Sequence, residues 1–199
     1  MKHTNIMVDL ETLGTSPGCK IMSIGAVAFD TDETGDEFYI EISRDEQAGL
    51  VEEPETLVWW AKQDPNVYDR LFNSSESKYK LEGGLRQFNA WLACFHSPAL
   101  WGNGPDFDNA ILQYAYKHVG ISPAWVYRHN RCYRTLKSLC PRIKAPKRIG
   151  PLHNALDDAR HQALHAVELM RFLENCVDSM DVLRYINGQV PRPHNPDEA

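Results

Sequence analysis

Three stretches of this 199-residue sequence carry acidic side chains at spacings that could act together. In "MVDLET" (7–12) the run from Met7 reads as a strand, where side chains two apart share a face, so Asp9 and Glu11 stand together while Val8 and Leu10 point the other way. Carboxylates held that close repel unless a hard divalent cation sits between them, and magnesium and manganese prefer oxygen ligands. The second stretch, "WGNGPDFDNAIL" (101–112), is a glycine-rich turn entering a helix. Asp106 could cap that helix and Asp108 would sit in its first turn; the spacing does not choose between them.

The third stretch, "HNALDDARHQ" (153–162), starts a helix. On a helical wheel Ala155, Ala159, Ala163, Ala166 and Met170 fall within roughly 80° of one another and make the core-facing stripe. Asp158, at about 300° from Ala155, borders that stripe beside Gln162, whereas Asp157, at about 200°, faces away from it. Asn154 and Asp157 suit a capping box. Asp158 is therefore the acid that looks inward. His153 precedes the helix and is of the type that takes a proton near neutral pH.

The elements needed to bring these residues together follow from pattern. "NIMVDL" and "KIMSIGAVAF" (20–29) read as buried strands separated by the turn "GTSPGC", and "EFYIEIS" (37–43) alternates as a third strand. Short turns imply that these three run antiparallel. "ETLVWWAKQ" after Pro54, "LEGGLRQFNAWLACF" (81–95) and "FDNAILQYAYKHV" (107–119) read as helices, with "ALWG" a strand before the last of them. "AWVYR" is expected as a final strand, followed by a short helix "YRTLKSLC" stopping at Pro141 and the long helix from Asn154. The expected fold is a single α/β domain over residues 1–185, a mixed sheet flanked by helices, with a C-terminal tail at 186–199.

Composition sets limits. Hydrophobic residues at 43% and charged residues at 24% describe an ordinary globular chain. No stretch reaches the length of a bilayer span, and the N-terminus meets carboxylates too soon for a secretory signal, so no membrane partner is expected. Five cysteines without a C-x-x-C pair argue against zinc or a disulfide framework and point to a reducing cytoplasm. The net charge is -6, yet Arg128–Arg148 holds eight Lys and Arg and no acid, leaving about -14 elsewhere. Such a segregated basic segment suits the phosphates of a nucleic acid.

"VDLET", "NGPDFDNAIL" and "HNALDDA", in this order, resemble the three exonuclease motifs of the DEDD superfamily in its histidine-containing DEDDh branch, and especially compact bacterial and phage 3'-5' exonucleases. The shared "WW-x-K-Q" lies after the third strand, and the likeness runs from about residue 4 to residue 175. It implies a ribonuclease H-like fold with three antiparallel strands followed by parallel ones. It also implies a site of Asp9, Glu11, Asp108, Asp158 and His153, with Thr12 and Asn103 in the substrate-contacting positions of their motifs. "DLETLG" carries Leu13 where threonine is common, and "RCYRT" replaces a related "RDT", which leaves Arg134 near the site.

The activity so implied is metal-dependent 3'-5' exonuclease cleavage of nucleic acid with a free 3' end, at a single-stranded or overhanging terminus, with RNA slightly favoured. Two Mg2+ or Mn2+ ions about 4 Å apart would cancel charge and create a nucleophile. The resemblance makes Asp9 the bridge, Glu11 and Asp158 ligands on the water-activating ion, and Asp108 an outer ligand of the other. His153 would accept the proton, and the product would be a nucleoside 5'-monophosphate. Leu13, Trp59 and Trp60 are candidates to stack on terminal bases, although adjacent helical residues diverge by about 100°, so one tryptophan belongs to the core. A homodimer is compatible with the resemblance. The alternatives are an exodeoxyribonuclease and a catalytically silent binding module of the same fold.

Overall fold

The computed structural model describes residues 4–73 and 78–186, with side chains to residue 176. The tail expected beyond residue 186 lies outside the described residues. Three strands open the chain as an antiparallel meander: β1 (Asn5–Thr12), β2 (Ile21–Phe29) and β3 (Thr34–Glu41). Two short strands, β4 (Ala99–Gly102) and β5 (Arg131–Cys132), then run parallel to β1, giving the order β3-β2-β1-β4-β5. Every residue of β2 is buried, as an inner strand covered on both faces requires.

Alternation along β1 sends Ile6, Val8 and Leu10 to one face, where α3 (Leu81–Leu92) and α4 (Asp108–His118) cover them with Leu85, Phe88, Ile111 and Leu112. Met7 points to the opposite face and packs with α5 (Tyr133–Leu139) and the small-residue stripe of α6 (Ala155–Ile186), Ala159, Ala163 and Ala166. A third cluster closes the end of β1, where Leu13 and Met22 meet Trp60 of α1 (Pro54–Trp60) and Val67 and Leu71 of α2 (Pro65–Phe72). Among the described residues no helix is long and apolar enough to cross a membrane.

Two elements depart from the sequence reading. The strand expected at "AWVYR" is a loop ending in a single 3-10 turn at Tyr127–His129, and the last strand is the two-residue β5. Apolarity there serves a single anchor. Trp125 is buried edge-on against Tyr116 and donates its Nε1 hydrogen to Asn130, while Val126 and Tyr127 lie 53% and 63% exposed. Helix α2 was not anticipated, although it starts as helices do, with Asp64 accepting from the Asn66 N–H and proline in the first turn.

Candidate active site

Asp9 and Glu11 emerge at the end of β1 on the face covered by α6, and Asp158 descends onto them from the first turn of that helix. Each of the three offers a carboxylate oxygen within 4.8 Å of the others. Their approach depends on Gly25, the antiparallel partner of Asp9. A β-carbon at Gly25 would lie 2.2 Å from the carbonyl carbon of Ala155, so only glycine lets the start of α6 rest on the sheet. Asn154 fixes that start by accepting from the N–H groups of Leu156 and Asp157, both at 3.1 Å. Asp157 does not return the bond of a capping box; it accepts from Arg160 at 2.6 Å.

Asp108 approaches from the other face. The ladder between β1 and β4 stops at the Met7–Trp101 pair, and the Leu10 N–H beyond it donates to Asp108 Oδ1 at 3.2 Å. The second oxygen accepts from the Asn103 N–H at 2.8 Å. Asp108 thus stands where the missing strand would be, buried, while Asp106 is exposed on the preceding turn. It lies outside the three-oxygen group but close enough to add to the charge on Asp9.

So much negative charge out of water is costly. Burial first, then Asp108, Glu11 and Asp158, hold the Asp9 carboxyl well above its ordinary range. Burial and Asp158 push Glu11 up to about 8, with Arg70 and Arg148 drawing it partway back. Burial raises Asp108 to about 6 against the pull of its backbone donors. Three buried oxygens in this region, Glu11 Oε1, Asp158 Oδ2 and Gln162 Oε1, accept no hydrogen bond. A hard divalent cation would supply what these oxygens lack, and the all-oxygen donor set suits magnesium or manganese.

The cleft over the carboxylates has a volume of about 670 Å3 and is lined by Thr12, Trp59, Asn103, His153 and Gln162 as well as Asp9, Glu11 and Asp158. His153 has a positive φ of 59° and sets its ring edge-on against Trp59 at 4.8 Å and Trp60 at 5.9 Å. The tryptophans divide as helical geometry demands. Trp60 is 1% exposed and donates to the Thr12 carbonyl, whereas Trp59 is 43% exposed at the cleft. Thr12 is itself buried, its hydroxyl donating to Gly14 O.

Leu13 does not join this group. Its side chain is fully buried beside Met22 and Trp60, because the side chain next to Thr12 turns to the opposite face and into the third cluster. Arg134 is exposed, donates to the Asn103 carbonyl at 2.9 Å and lines a neighbouring cleft with Asp9 and Asp108. A further cleft, of about 520 Å3, opens from Asp158 and Gln162 between Lys137, Lys144, Arg148 and His161. Part of the basic segment therefore borders the acids.

Residues 4–170 match the family described as the 3'-5' exoribonuclease Rv2179c-like domain. The chain belongs to this family. The fold is shared with solved nucleases. The nuclease domain of 3'hExo, a DEDDh family member bound to rAMP, aligns with a TM-score of 0.58 at 14% identity, covering 85% of this chain and 93% of that one. A full-length 3'-exonuclease gives 0.56 at 13% identity, covering 86% and 83%. Exonuclease X in complex with 5' overhanging duplex DNA gives 0.51 at 15% identity, covering 84% and 92%. No curated protein sequence matches the chain.

In this exonuclease two side-chain contacts to the acids were missing from the sequence reading. Gln162, one turn after Asp158, donates its Nε2 hydrogen to Asp9 Oδ1 at 2.7 Å. Its place beside Asp158 on the wheel was the available signal. Arg148, in the loop before α6, donates to Asp158 Oδ1 at 2.6 Å and to Pro151 O at 3.2 Å. Nothing in the spacing of Arg148 sets it apart from the other cations of the basic segment.

Proposed function

We propose that this 3'-5' exonuclease removes nucleoside 5'-monophosphates from the 3' end of RNA, at a single-stranded or overhanging terminus, with two divalent cations and His153 as the proton acceptor. The observation that carries the reading is the convergence of Asp9, Glu11 and Asp158 within 4.8 Å, with buried oxygens of Glu11 and Asp158 left without a donor. Asp9, Glu11 and Asp158 would hold Mg2+ or Mn2+, and Asp108, fixed by two N–H donors, would help hold a second ion. Bound there, the cations would neutralise the phosphodiester and lower the pKa of attacking water toward neutrality.

The chain's own groups do the rest. His153, facing the same cleft as the acids, takes a proton from the water whose oxygen attacks the terminal phosphorus. The P–O3' bond breaks, and the departing 3' oxygen of the shortened strand picks up a proton. The exposed Trp59 offers a stacking face for the terminal base, while Trp60 and Leu13 support it from the core. Thr12, Asn103 and Arg134 line the approach, and Lys137 and Lys144 would follow the backbone of the upstream strand. Affinity carried by such contacts falls with salt.

The description of the matched family as exoribonuclease and the rAMP in the 3'hExo structure support RNA. The DNA duplex in the exonuclease X complex keeps an exodeoxyribonuclease as the alternative. Matched 5'-labelled RNA and DNA oligonucleotides, incubated with Mn2+, Mg2+ or EDTA, separate them. A ladder of single-nucleotide steps on RNA, abolished by EDTA, is the expected result. Faster decay of DNA would give the alternative, and retention without cleavage a silent binding module. Asp158→Asn should remove most turnover while Asp157→Asn should not; equal loss in two folded variants would refute the assignment.

A further inference from the structure

We infer that Arg70 is a positioning residue for His153, holding the backbone of that histidine in the left-handed turn that presents its imidazole to the carboxylate cleft. The inference rests on the proposed role of His153 as proton acceptor. His153 carries a side chain at φ 59°, a region that β-carbon-bearing residues occupy rarely and keep only when their surroundings hold them there. Two contacts do so. Arg70 Nη2 donates to the His153 carbonyl at 3.0 Å across 83 positions of sequence, and the imidazole lies edge-on to Trp59 and Trp60. Rotation of the peptide would break the first contact and swing the ring away from the second.

Helix α2 supplies the guanidinium and contributes none of the carboxylates. Asp64 caps it, Val67 and Leu71 bury it in the cluster that holds Trp60, and Arg70 in its last turn faces Pro151, Leu152 and His153 across a small cleft. The same packing that fixes Trp60 therefore fixes Arg70, so both contacts on His153 share one rigid support. The loop leading to His153 is otherwise held lightly, with Leu152 59% exposed and the Pro151 carbonyl accepting from Arg148. Arg70 also stands near enough to Glu11 for its charge to act there, and the test must separate the two effects.

Full-length Arg70→Met, Arg70→Lys, His153→Ala and the Arg70→Met/His153→Ala double variant would be compared. The readouts are kcat and KM on the oligonucleotide that the wild type degrades, and Mn2+ binding by calorimetry. Arg70→Met should lower kcat about 10- to 100-fold with KM within about twofold, the effect of a misplaced reacting group. Arg70→Lys, which keeps a donor and the charge, should recover most of that loss and bind Mn2+ as the wild type does. His153→Ala should lower kcat by about 10^2 to 10^4, and the double variant should fall within about threefold of it.

Wild-type kcat in Arg70→Met, or a loss that multiplies in full on the His153→Ala background, overturns the inference while leaving the histidine's role intact. A loss that disappears at saturating Mn2+ also overturns it, assigning Arg70 to Glu11. Wild-type kcat in His153→Ala instead refutes the proton-acceptor reading, and the inference falls with it. If Arg70→Met lacks the wild-type melting transition, Arg70→Gln, whose amide is too short to reach the carbonyl, is read in its place.

Discussion

The side-chain amide of Gln162 donates to Asp9 Oδ1 at 2.7 Å, tying the second turn of α6 to the acidic end of β1. Among the described residues it is the side-chain donor to the Asp9 carboxylate, and it leaves the amide oxygen of Gln162 buried and without a partner of its own. Removing a hydrogen bond that orients a metal ligand typically costs 10- to 100-fold in metal affinity or activity. Gln162→Met, close in volume, should weaken Mn2+ binding about tenfold in calorimetry while its melting temperature stays near that of the wild type. Wild-type Mn2+ affinity would show that the contact does not orient Asp9.

On the proposed metal site a cation would compete with Arg148 for Asp158, since the guanidinium donates to Asp158 Oδ1 at 2.6 Å. A partly buried ion pair must be given up before the carboxylate can face another charge. Arg148→Ala should therefore bind Mn2+ about three- to tenfold more tightly, while the metal-free protein loses stability because Asp158 stands uncompensated. Calorimetry and melting in EDTA read the two effects separately. Weaker Mn2+ binding would mean that Arg148 supports the site instead of contesting it.

The acids also set a pH dependence whose sign is fixed by the direction of their shifts. Glu11 is raised from 4.5 to about 8 and Asp108 from 3.8 to about 6, with Asp9 raised as well. Between those limits the unfolded chain binds fewer protons than the folded one, so stability falls as pH rises. The metal-free protein should melt at a higher temperature at pH 5 than at pH 8. Mn2+ would bind the ionised form, so the rise in melting temperature that it produces should be larger at pH 8. A metal-free melting temperature that climbs from pH 5 to pH 8 would contradict this.

Gly25→Ala tests the seating of α6. The new methyl would meet the Ala155 backbone at 2.2 Å, and backbone cannot turn aside as a flexible side chain can. Overpacking of this kind costs about 1–3 kcal/mol. Asp158 would move with the helix, so Mn2+ affinity should fall along with stability. A folded Gly25→Ala protein with wild-type Mn2+ binding would show that α6 can lift without disturbing the acids.

The sequence was most informative where a regular period operates within one element. Helical spacing separated Asp158 from Asp157, and strand alternation put Asp9 and Glu11 on one face; both relationships hold in the structure. The adjacency of Trp59 and Trp60 likewise implied one exposed and one core ring. Spacing could not choose between Asp106 and Asp108, because the position of Asp108 depends on where the β1–β4 ladder ends. Arg148 and Gln162 meet their acids across 10 and 153 positions, and beyond the place of Gln162 beside Asp158 on the wheel no local pattern marks such pairs. "AWVYR" misled because a single buried indole made a loop read as a strand.

Asp9 on the first strand and Asp158 on the last described helix come together although every other strand of the sheet lies between them in sequence. During translation Asp158 leaves the ribosome after every strand of the sheet has been made, so the two cannot meet earlier. A product cut short ahead of residue 155 would lack Asp158 and the helix that carries it. With Asp158 in its proposed role, interrupted synthesis would leave fragments that cannot complete the acidic cluster.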